Sequence, residues 1–404
     1  MPATNSVPQS TFWTPNSRRR VSMHSERLAT TLGAVCDLTR GATPTMKARP
    51  GPYPLVVTAE NRASSDEYQF DTEAVCVPMV SSTGHGHASL KRVHYQAGKF
   101  AVANIITACT AKPGAPINMR YLWLLLDHFR DELIVALMQG TANVSLSQRA
   151  LATVPLDLPP LPDQRRIVDL VSAIDDVLAG AGRQRAAAAH VREQLREHLI
   201  PGEEILKVGA VLHGVSRPVA VDPERTYKEI GIRSHGKGTF EKTPVLGREL
   251  GTKKVFWMLP GALAFNIVFA WEGAVALLGE AVVDKVASHR FPNYKSPFEA
   301  GERFMTEYFR TKAGIELLTS CSPGGAGRNR TLNRRALLAS EIHVVEPIEW
   351  PAVVELLDDA AASERAADDL VDSLASLRSS ILTTLLTGAH GIPDSYDELM
   401  WVAS

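Results

Sequence analysis

Asn143-Val144-Ser145-Leu146-Ser147-Gln148-Arg149-Ala150-Leu151 returns further along the chain as Asn329-Arg330-Thr331-Leu332-Asn333-Arg334-Arg335-Ala336-Leu337, at an offset of 186 residues with no gap. The correspondence continues downstream, where Ile167, Val168, Leu170 and Val171 map onto Val353, Val354, Leu356 and Leu357. Leu195-Arg196 followed by Leu199-Ile200 then resembles Leu377-Arg378 followed by Ile381-Leu382, at an offset of 182. Upstream, Leu32-Gly33-Ala34-Val35 echoes Val208-Gly209-Ala210-Val211. Several matches in one order indicate a tandem duplication of a single unit, a globular domain followed by a helical segment.

The helical segments have a readable pattern. After Leu158-Pro159-Pro160-Leu161-Pro162-Asp163, apolar residues fall at Ile167, Leu170, Val171, Ile174, Val177, Leu178 and Ala181, then at Val191, Leu195 and Leu199 before Pro201-Gly202. That spacing predicts a one-faced helix with Asp163 beside its start. In the second copy Val353, Leu356, Leu357 and Ala360 lead to Ala367, Leu370, Leu374, Leu377, Ile381 and Leu385, closed by Gly388. Alternating steps of three and four predict a coiled-coil seam. Each run is about 55 Å long at 1.5 Å per residue. Two matched stripes should cover each other, so the reading is an antiparallel pair acting as a ruler between the domains. Gln164, Ile167, Leu170, Val171, Ile174, Leu195, Val353, Leu356, Leu370, Leu374, Leu377 and Ile381 are its expected coiled-coil and partner positions.

With 404 residues, 45% of them hydrophobic and 22% charged, the chain has enough apolar material for two or three folded domains, which excludes disorder over most of its length. Four scattered cysteines give neither a disulfide framework nor a metal knuckle, and the expectation is a reducing, cytoplasmic protein without a secretory signal. The apolar stretch 255–279 is interrupted by Pro260-Gly261 and Glu272-Gly273, so it reads as buried strands rather than a membrane helix. The net charge of −1 conceals segregation: +5 over residues 1–150, −1 over 151–200, +6 over 201–340 and −11 over 341–404. Basic blocks that alternate in this way favour a polyanion.

Inside the first basic block, strands are expected at 53–58, 74–80 and 100–106. Between the last two lies a loop containing Ser82, Thr83, Gly84, His85, Gly86, His87, Lys91 and Arg92. Glycines and hydroxyls let backbone amides approach phosphates while side chains reach base edges. A metal site at His85 and His87 lacks carboxylates and paired cysteines, and none is assigned. The second block offers Arg233, Ser234, Lys237 and Gly238, then Asn266, His289, Arg290, Asn293, Tyr294, Arg328, Asn329 and Arg330 as DNA-binding candidates, while Trp271 and Phe291 read as core. Residues 231–239 nearly match a phosphate-cradling loop, but Gly238 stands where a magnesium-holding hydroxyl belongs. The sequence has no amino-methyltransferase motif, no glycine-rich loop for a methyl donor, no nuclease triad, and no HExxH or GxSxG. No catalytic residues are assigned.

The run 158–168, preceded by Gly140-x-x-Asn143-x-Ser145-Leu146 and Leu151-x-x-Val154-Pro155-Leu156, resembles the central region of type I restriction–modification specificity subunits. Arg233-x-x-Gly236-Lys237-Gly238-x-Phe240, Phe265-Asn266 and Trp271-Glu272-Gly273-Ala274 look like their target-recognition domains, and Leu377-Arg378-x-x-Ile381-Leu382 like their closing helix. The resemblance spans residues 26–388. It implies an α/β (α+β) fold with two target-recognition domains of mixed strands and helices, separated by two long helices in an antiparallel coiled coil, with a pseudo-two-fold internal repeat. The expected divisions are a tail (1–25), a first recognition domain (26–158), a central helix region (159–202), a second recognition domain (203–346), a C-terminal helix (347–388) and a second tail (389–404). Each domain would read one half of an asymmetric bipartite site in double-stranded DNA. The chain would bind no cofactor; S-adenosylmethionine, ATP and magnesium would sit on two modification (methyltransferase) subunits and on restriction subunits, with no membrane involved. In the second copy the helix is preceded by Val345-Glu346-Pro347-Ile348-Glu349-Trp350, a degenerate form of the motif, and the modest charge implies that partners supply much of the phosphate grip. Rival readings are the recognition subunit of a bifunctional type II system, a P-loop nucleotide-binding protein at 231–239, and a scaffold held by its coiled coil.

Overall fold

A helix whose apolar stripe is wider than water tolerates must find a partner surface, and here two long helices find it in two separate hydrophobic cores. The computed structural model describes residues 27–83, 86–251, 253–324, 330–393 and 396. The chain forms two compact units, one of residues 1–177 with 374–404, the other of residues 178–373.

In the first unit, β1 (Leu28–Thr31), the single turn α1 (Leu32–Val35) and β2 (Cys36–Arg40) open the fold. They are followed by β3 (Tyr53–Val56), β4 (Ala63–Ser65), β5 (Phe70–Asp71), β6 (Ala74–Pro78), β7 (His94–Gln96), β8 (Lys99–Val102) and β9 (Ile106–Ala111). These strands make two four-stranded sheets, ordered β2-β9-β6-β7 and β4-β3-β8-β5. β6 is buried at every position, which is why its Ala-Val-Cys-Val-Pro run shows no alternation. Helices α2 (Met119–His128), α3 (Arg130–Leu133) and α4 (Gln148–Ala152) then pack on the first sheet's core, and β10 (Pro155–Leu158) returns antiparallel to β1. The long helix α5 (Leu161–Leu199) starts here, and its Ile167, Val168 and Val171 are buried in the same core.

The second unit begins within α5 and continues through β11 (Glu204–Lys207), α6 (Val208–Val211), β12 (His213–Val215), β13 (Thr226–Ile232), β14 (Thr239–Glu241), β15 (Val245–Leu246) and α7 (Gly247–Leu250). Next come β16 (Val255–Trp257), β17 (Leu263–Phe265), β18 (Val275–Leu277), β19 (Lys285–Ser288) and β20 (Asn293–Lys295). One sheet runs β12-β20-β17-β18; in the other, β13 pairs with β14, β15 and, in parallel, β19, which continues to β16. The apolar 255–279 stretch is thus three short strands joined by turns, and Gly273 adopts φ 71° at one of them. Among the described residues no helix is long and apolar enough to cross a membrane. Helices α8 (Gly301–Tyr308), α9 (Lys312–Ser320) and α10 (Arg334–Ala339) follow, then β21 (Glu341–Val344), which pairs antiparallel with β11. The second long helix, α11 (Trp350–Leu386), buries Val353, Val354 and Leu357 in this unit's core, and the Trp350 ring stacks on Phe304 at 4.3 Å. Its last turns belong to the first unit, where Leu382, Leu385 and Leu386 are buried.

Within each unit the two long helices touch through charge as well as apolar contact. In the first, Arg378 bridges both carboxylate oxygens of Asp175. In the second, Arg192 binds Glu364 at 3.1 Å and Arg185 approaches Asp368 at 3.8 Å. The expected seam positions are not uniformly buried. Leu356, Leu370 and Leu377 are 51%, 42% and 52% exposed, whereas Val354, Leu357, Ala361 and Ala367 are buried. Leu374 and Ile381 are half-buried, as are Leu170, Ile174 and Leu195 on α5. The heptad count taken on the larger leucines therefore selects exposed positions, while small alanines on the same helix are buried.

Gln164 is also reassigned. It is fully buried and lies outside any seam. Its Oε1 accepts from the Asn118 amide at 2.8 Å, and its Nε2 donates to the Pro116 and Pro159 carbonyls at 2.9 and 2.8 Å. Asn118 in turn caps α2, accepting from the amides of Arg120 and Tyr121. One amide side chain thus fixes the start of α5 to the start of α2. Gln164→Ala removes three hydrogen bonds, one of them to the buried Pro159 carbonyl, and should lower the first unit's stability by about 2 kcal/mol, read as a lower urea midpoint in tryptophan fluorescence.

Candidate nucleic-acid interface

In the second unit, β13 and β14 form a hairpin whose connection, residues 233–238, carries much of the candidate chemistry. The Arg233 amide donates to the Gly238 carbonyl at 2.9 Å, closing the loop. His235, Gly236 and Gly238 take φ of 59°, 63° and 74°, so the glycines supply a left-handed turn at little cost. The loop is tied to the neighbouring turn by His235 N–H to Glu272 O (2.8 Å), Gly236 N–H to Gly273 O (3.0 Å) and Ser234 Oγ–H to Glu272 Oε2 (2.7 Å). Lys237 is exposed. Thr239 begins a strand, so the loop lacks the helix N-terminus that a phosphate loop uses, and the nucleotide-binding reading of 231–239 is overturned.

The hairpin walls a cleft of about 990 Å³. Arg233, Ser234, Asn266, His289 and Arg290, all singled out from sequence, line it together. So do Phe240, Lys242, Lys253 and Lys254, which sequence reasoning passed over; the adjacent lysine pair was the available signal. Glu229 is the one acidic residue on the described wall. A concave surface with this excess of cations concentrates polyanions. Asn266 is nearly buried, and its Oδ1 accepts from the Val268 amide.

Two candidates are corrected by burial. Asn293, 3% exposed, spends its amide on the Phe291 carbonyl, the Leu259 amide and the Met258 sulfur. Tyr294 is also 3% exposed and packs edge-on against Phe265. Both belong to β20 and line a separate cavity of about 330 Å³ with His289 and Arg334, away from the lysine-walled cleft. Arg330 lies with its guanidinium 5.0 Å from the Trp271 ring, so Trp271 is a half-buried platform rather than core, while Phe291 is buried as expected. Arg328 and Asn329 lie outside the described residues, as do Gly84 and His85.

Behind the loop is a second cavity of about 600 Å³, lined by Arg192, Arg196, Arg310 and Trp271. Glu307 joins the three arginines, with contacts of 2.6 Å to Arg310, 2.8 Å to Arg196 and 3.3 Å to Arg192. Burial acts to raise the Glu307 carboxyl, and Arg310, Arg196 and Arg192 outweigh it, holding it below the usual carboxylate range. Arg310 also donates from Nη2 to the Gly236 carbonyl at 3.2 Å, linking this charge cluster to the hairpin loop.

In the first unit the candidate loop is tied to itself. Ser82 donates its amide to the Ser89 carbonyl and accepts from the Lys91 amide at 3.1 Å, while Thr83 Oγ1 meets Ser89 Oγ at 2.9 Å. Ser82, Thr83, Gly86, His87 and Lys91 are exposed; Arg92 is half-buried and pairs with Glu60 at 2.9 Å. Beneath them His94 is 4% exposed, and Arg62 Nη1 donates to its Nδ1 at 3.1 Å.

Residues 29–185 match the family model of the type I restriction modification DNA specificity domain. The match covers less than half of the chain. Solved structures resemble the chain as a whole in fold. The S subunit of a type I restriction-modification system from M. genitalium aligns over 91% of this chain and 98% of its own, at 11% identity and a TM-score of 0.53. A chain from a structure of the complex assembly and conformational transition of the type I R-M system aligns over 91% and 99%, at 18% identity and 0.54. No curated protein matches the chain. The matched segment runs from within β1 through β10 and the 81–92 loop to residue 185 of α5, so it covers the loop singled out from sequence and most of the helix that follows.

Within the matched segment His94 sets a pH limit. Burial, then the charges of Arg62 and Arg92, push its pKa down to about 4 from 6.5. The unfolded chain therefore takes up a proton in a range where the folded chain refuses it. The contribution is present in full above about pH 6.5 and is lost as the pH falls toward 4. His94→Gln keeps an acceptor for Arg62 and cannot be protonated. Its urea midpoint, followed by Trp123 fluorescence, should fall less than that of the parent between pH 6.5 and 4.5.

Proposed function

We propose that this chain is the sequence-specificity subunit of a type I restriction–modification complex, reading an asymmetric bipartite site in double-stranded DNA while partner subunits perform the chemistry. The observation that carries the reading is the specificity-domain match over residues 29–185, on a unit whose framework recurs in order in the second. β1, α1 and β2 have counterparts in β11, α6 and β12. β10 pairs with β1 as β21 pairs with β11, and α4 packs on α1 as α10 packs on α6. These correspondences support a tandem duplication with one recognition domain per half-site.

The helix contacts support an antiparallel coiled coil. Early α5 meets late α11 at Asp175 and Arg378, and late α5 meets early α11 at Arg192 and Glu364. Such a pair would set the spacing between the half-sites. The exposed Leu356, Leu370 and Leu377 offer apolar side chains to methyltransferase and restriction subunits. S-adenosylmethionine, ATP and magnesium belong to those partners in this reading. Phosphates are gripped by exposed cations such as Lys91, Lys253 and Lys254, and bases are read by the two loop regions.

Methylated bases mapped genome-wide in the native host, with and without this gene, test the proposal. Loss of one bipartite motif is the expected result, and an unchanged methylation pattern overturns it. Replacing residues 26–150 with the matching segment of another specificity subunit should alter one half of that motif and leave the other intact. Inserting one heptad into each long helix adds about 10 Å and should lengthen the spacer by about three base pairs; an unaltered spacer would remove the ruler.

A further inference from the structure

The cations of the second-unit cleft are not equivalent. The side chains of Lys253, Lys254 and Arg290 find no hydrogen-bond acceptor among the described residues, and Lys242 only overlies the Phe291 ring at 5.8 Å. Groups this free behave as point charges that follow a phosphate wherever it lies. Arg233 differs. Its side chain is exposed at the cleft, yet it is held at two places: Nη1 donates to the Thr239 carbonyl at 2.8 Å, and the guanidinium lies 5.0 Å from the centre of the Phe240 ring.

The support under it is also fixed. Phe240 pairs with Gly231 across the hairpin, and a Cβ at Gly231 would come within 2.4 Å of the Phe240 ring, so the ring occupies the space that glycine leaves. The loop beyond is fastened through Ser234 and His235 to Glu272, and through Arg310 to Gly236. With Nη1 directed at Thr239, the Nε–H and Nη2–H edge of the guanidinium is left without a protein acceptor.

We propose that Arg233 is a specificity-determining residue that reads a guanine in the half-site assigned to the second unit, presenting its Nε–H and Nη2–H edge to guanine O6 and N7. This rests on the DNA-reading function proposed above. In the major groove guanine shows two adjacent acceptors, whereas adenine shows one acceptor beside a donor. Two parallel donors match the first and clash with the second. Discrimination depends on the pair being unable to swing aside, and that restraint is what Phe240 and Thr239 provide. Phe240 is accordingly a positioning residue.

The test is selection from a randomised duplex library by the full chain, purified from its native host with any subunits that accompany it. The parent should select a site with guanine at a defined position in one half. Arg233→Ala should weaken that preference by between about fivefold and a hundredfold and leave every other position as before. Arg233→Lys keeps the charge and loses the planar pair, so it should lose the same preference with overall affinity retained. Phe240→Leu should weaken the preference without moving it. Lys253→Ala with Lys254→Ala should lower affinity for all sequences alike and flatten the salt dependence. If the parent selects no sequence, the DNA-reading function fails and this assignment with it. If the parent selects a sequence and Arg233→Lys selects it equally well, or if the affected position is not guanine, the assignment to Arg233 alone is overturned.

Discussion

Each long helix serves two hydrophobic cores, and that shared service is the constraint on which the rest of the structure depends. α5 buries Ile167, Val168 and Val171 in the first unit's core and lends Leu195 and Leu199 to the second's. α11 does the converse, with Val353, Val354 and Leu357 in the second and Leu382, Leu385 and Leu386 in the first. An isolated helix of this length would gain little from its backbone alone, because most helical stability comes from packing an apolar face. The ends are therefore where the helices are held. Polar contacts reinforce those ends: Gln164 at the start of α5, and at the end of α11 the Arg27 guanidinium on the Leu386 carbonyl and His128 on Thr383.

The long helices and the strand-rich domains were legible in the sequence because each depends on a pattern that the sequence carries directly: the period of apolar residues and turn-forming breaks. The seam was legible only in part. Leu356, Leu370 and Leu377 satisfy a seven-residue count yet stand in water, while Ala361 and Ala367, whose small size leaves a weak trace in any hydrophobic periodicity, are buried. The site residues divide along a similar line. Arg233, Ser234, His289 and Arg290 gather at one cleft, as glycine-rich and basic stretches suggested. Asn293 and Tyr294 do not, because a residue type that suits a base edge suits an internal hydrogen bond equally well, and only the fold decides which is made. Lys253 and Lys254 belong to no motif, and their relevance arises from the concave wall they occupy.

The buried cluster around Glu307 gives the second unit a different kind of internal order. Ion pairs removed from water stabilise only when their geometry is well satisfied, and breaking one member costs far more than an exposed pair contributes. Here one carboxylate serves three guanidinium groups, and one of those, Arg310, also binds the backbone of the 233–238 loop. The β13–β14 hairpin is thus held from behind by Arg310, whose carboxylate partner Glu307 also binds Arg192 and Arg196 of α5, so loop conformation and helix docking in this unit share a single carboxylate.

Gly231 has a consequence for which positions of the hairpin can vary. Because the Phe240 ring fills the volume where a side chain at 231 would grow, any replacement there displaces the ring and releases the guanidinium that rests on it. Position 233 faces the cleft and can vary without disturbing the hairpin beneath. A change at 231 would thus reach the cleft through the ring, whereas a change at 233 would act there directly.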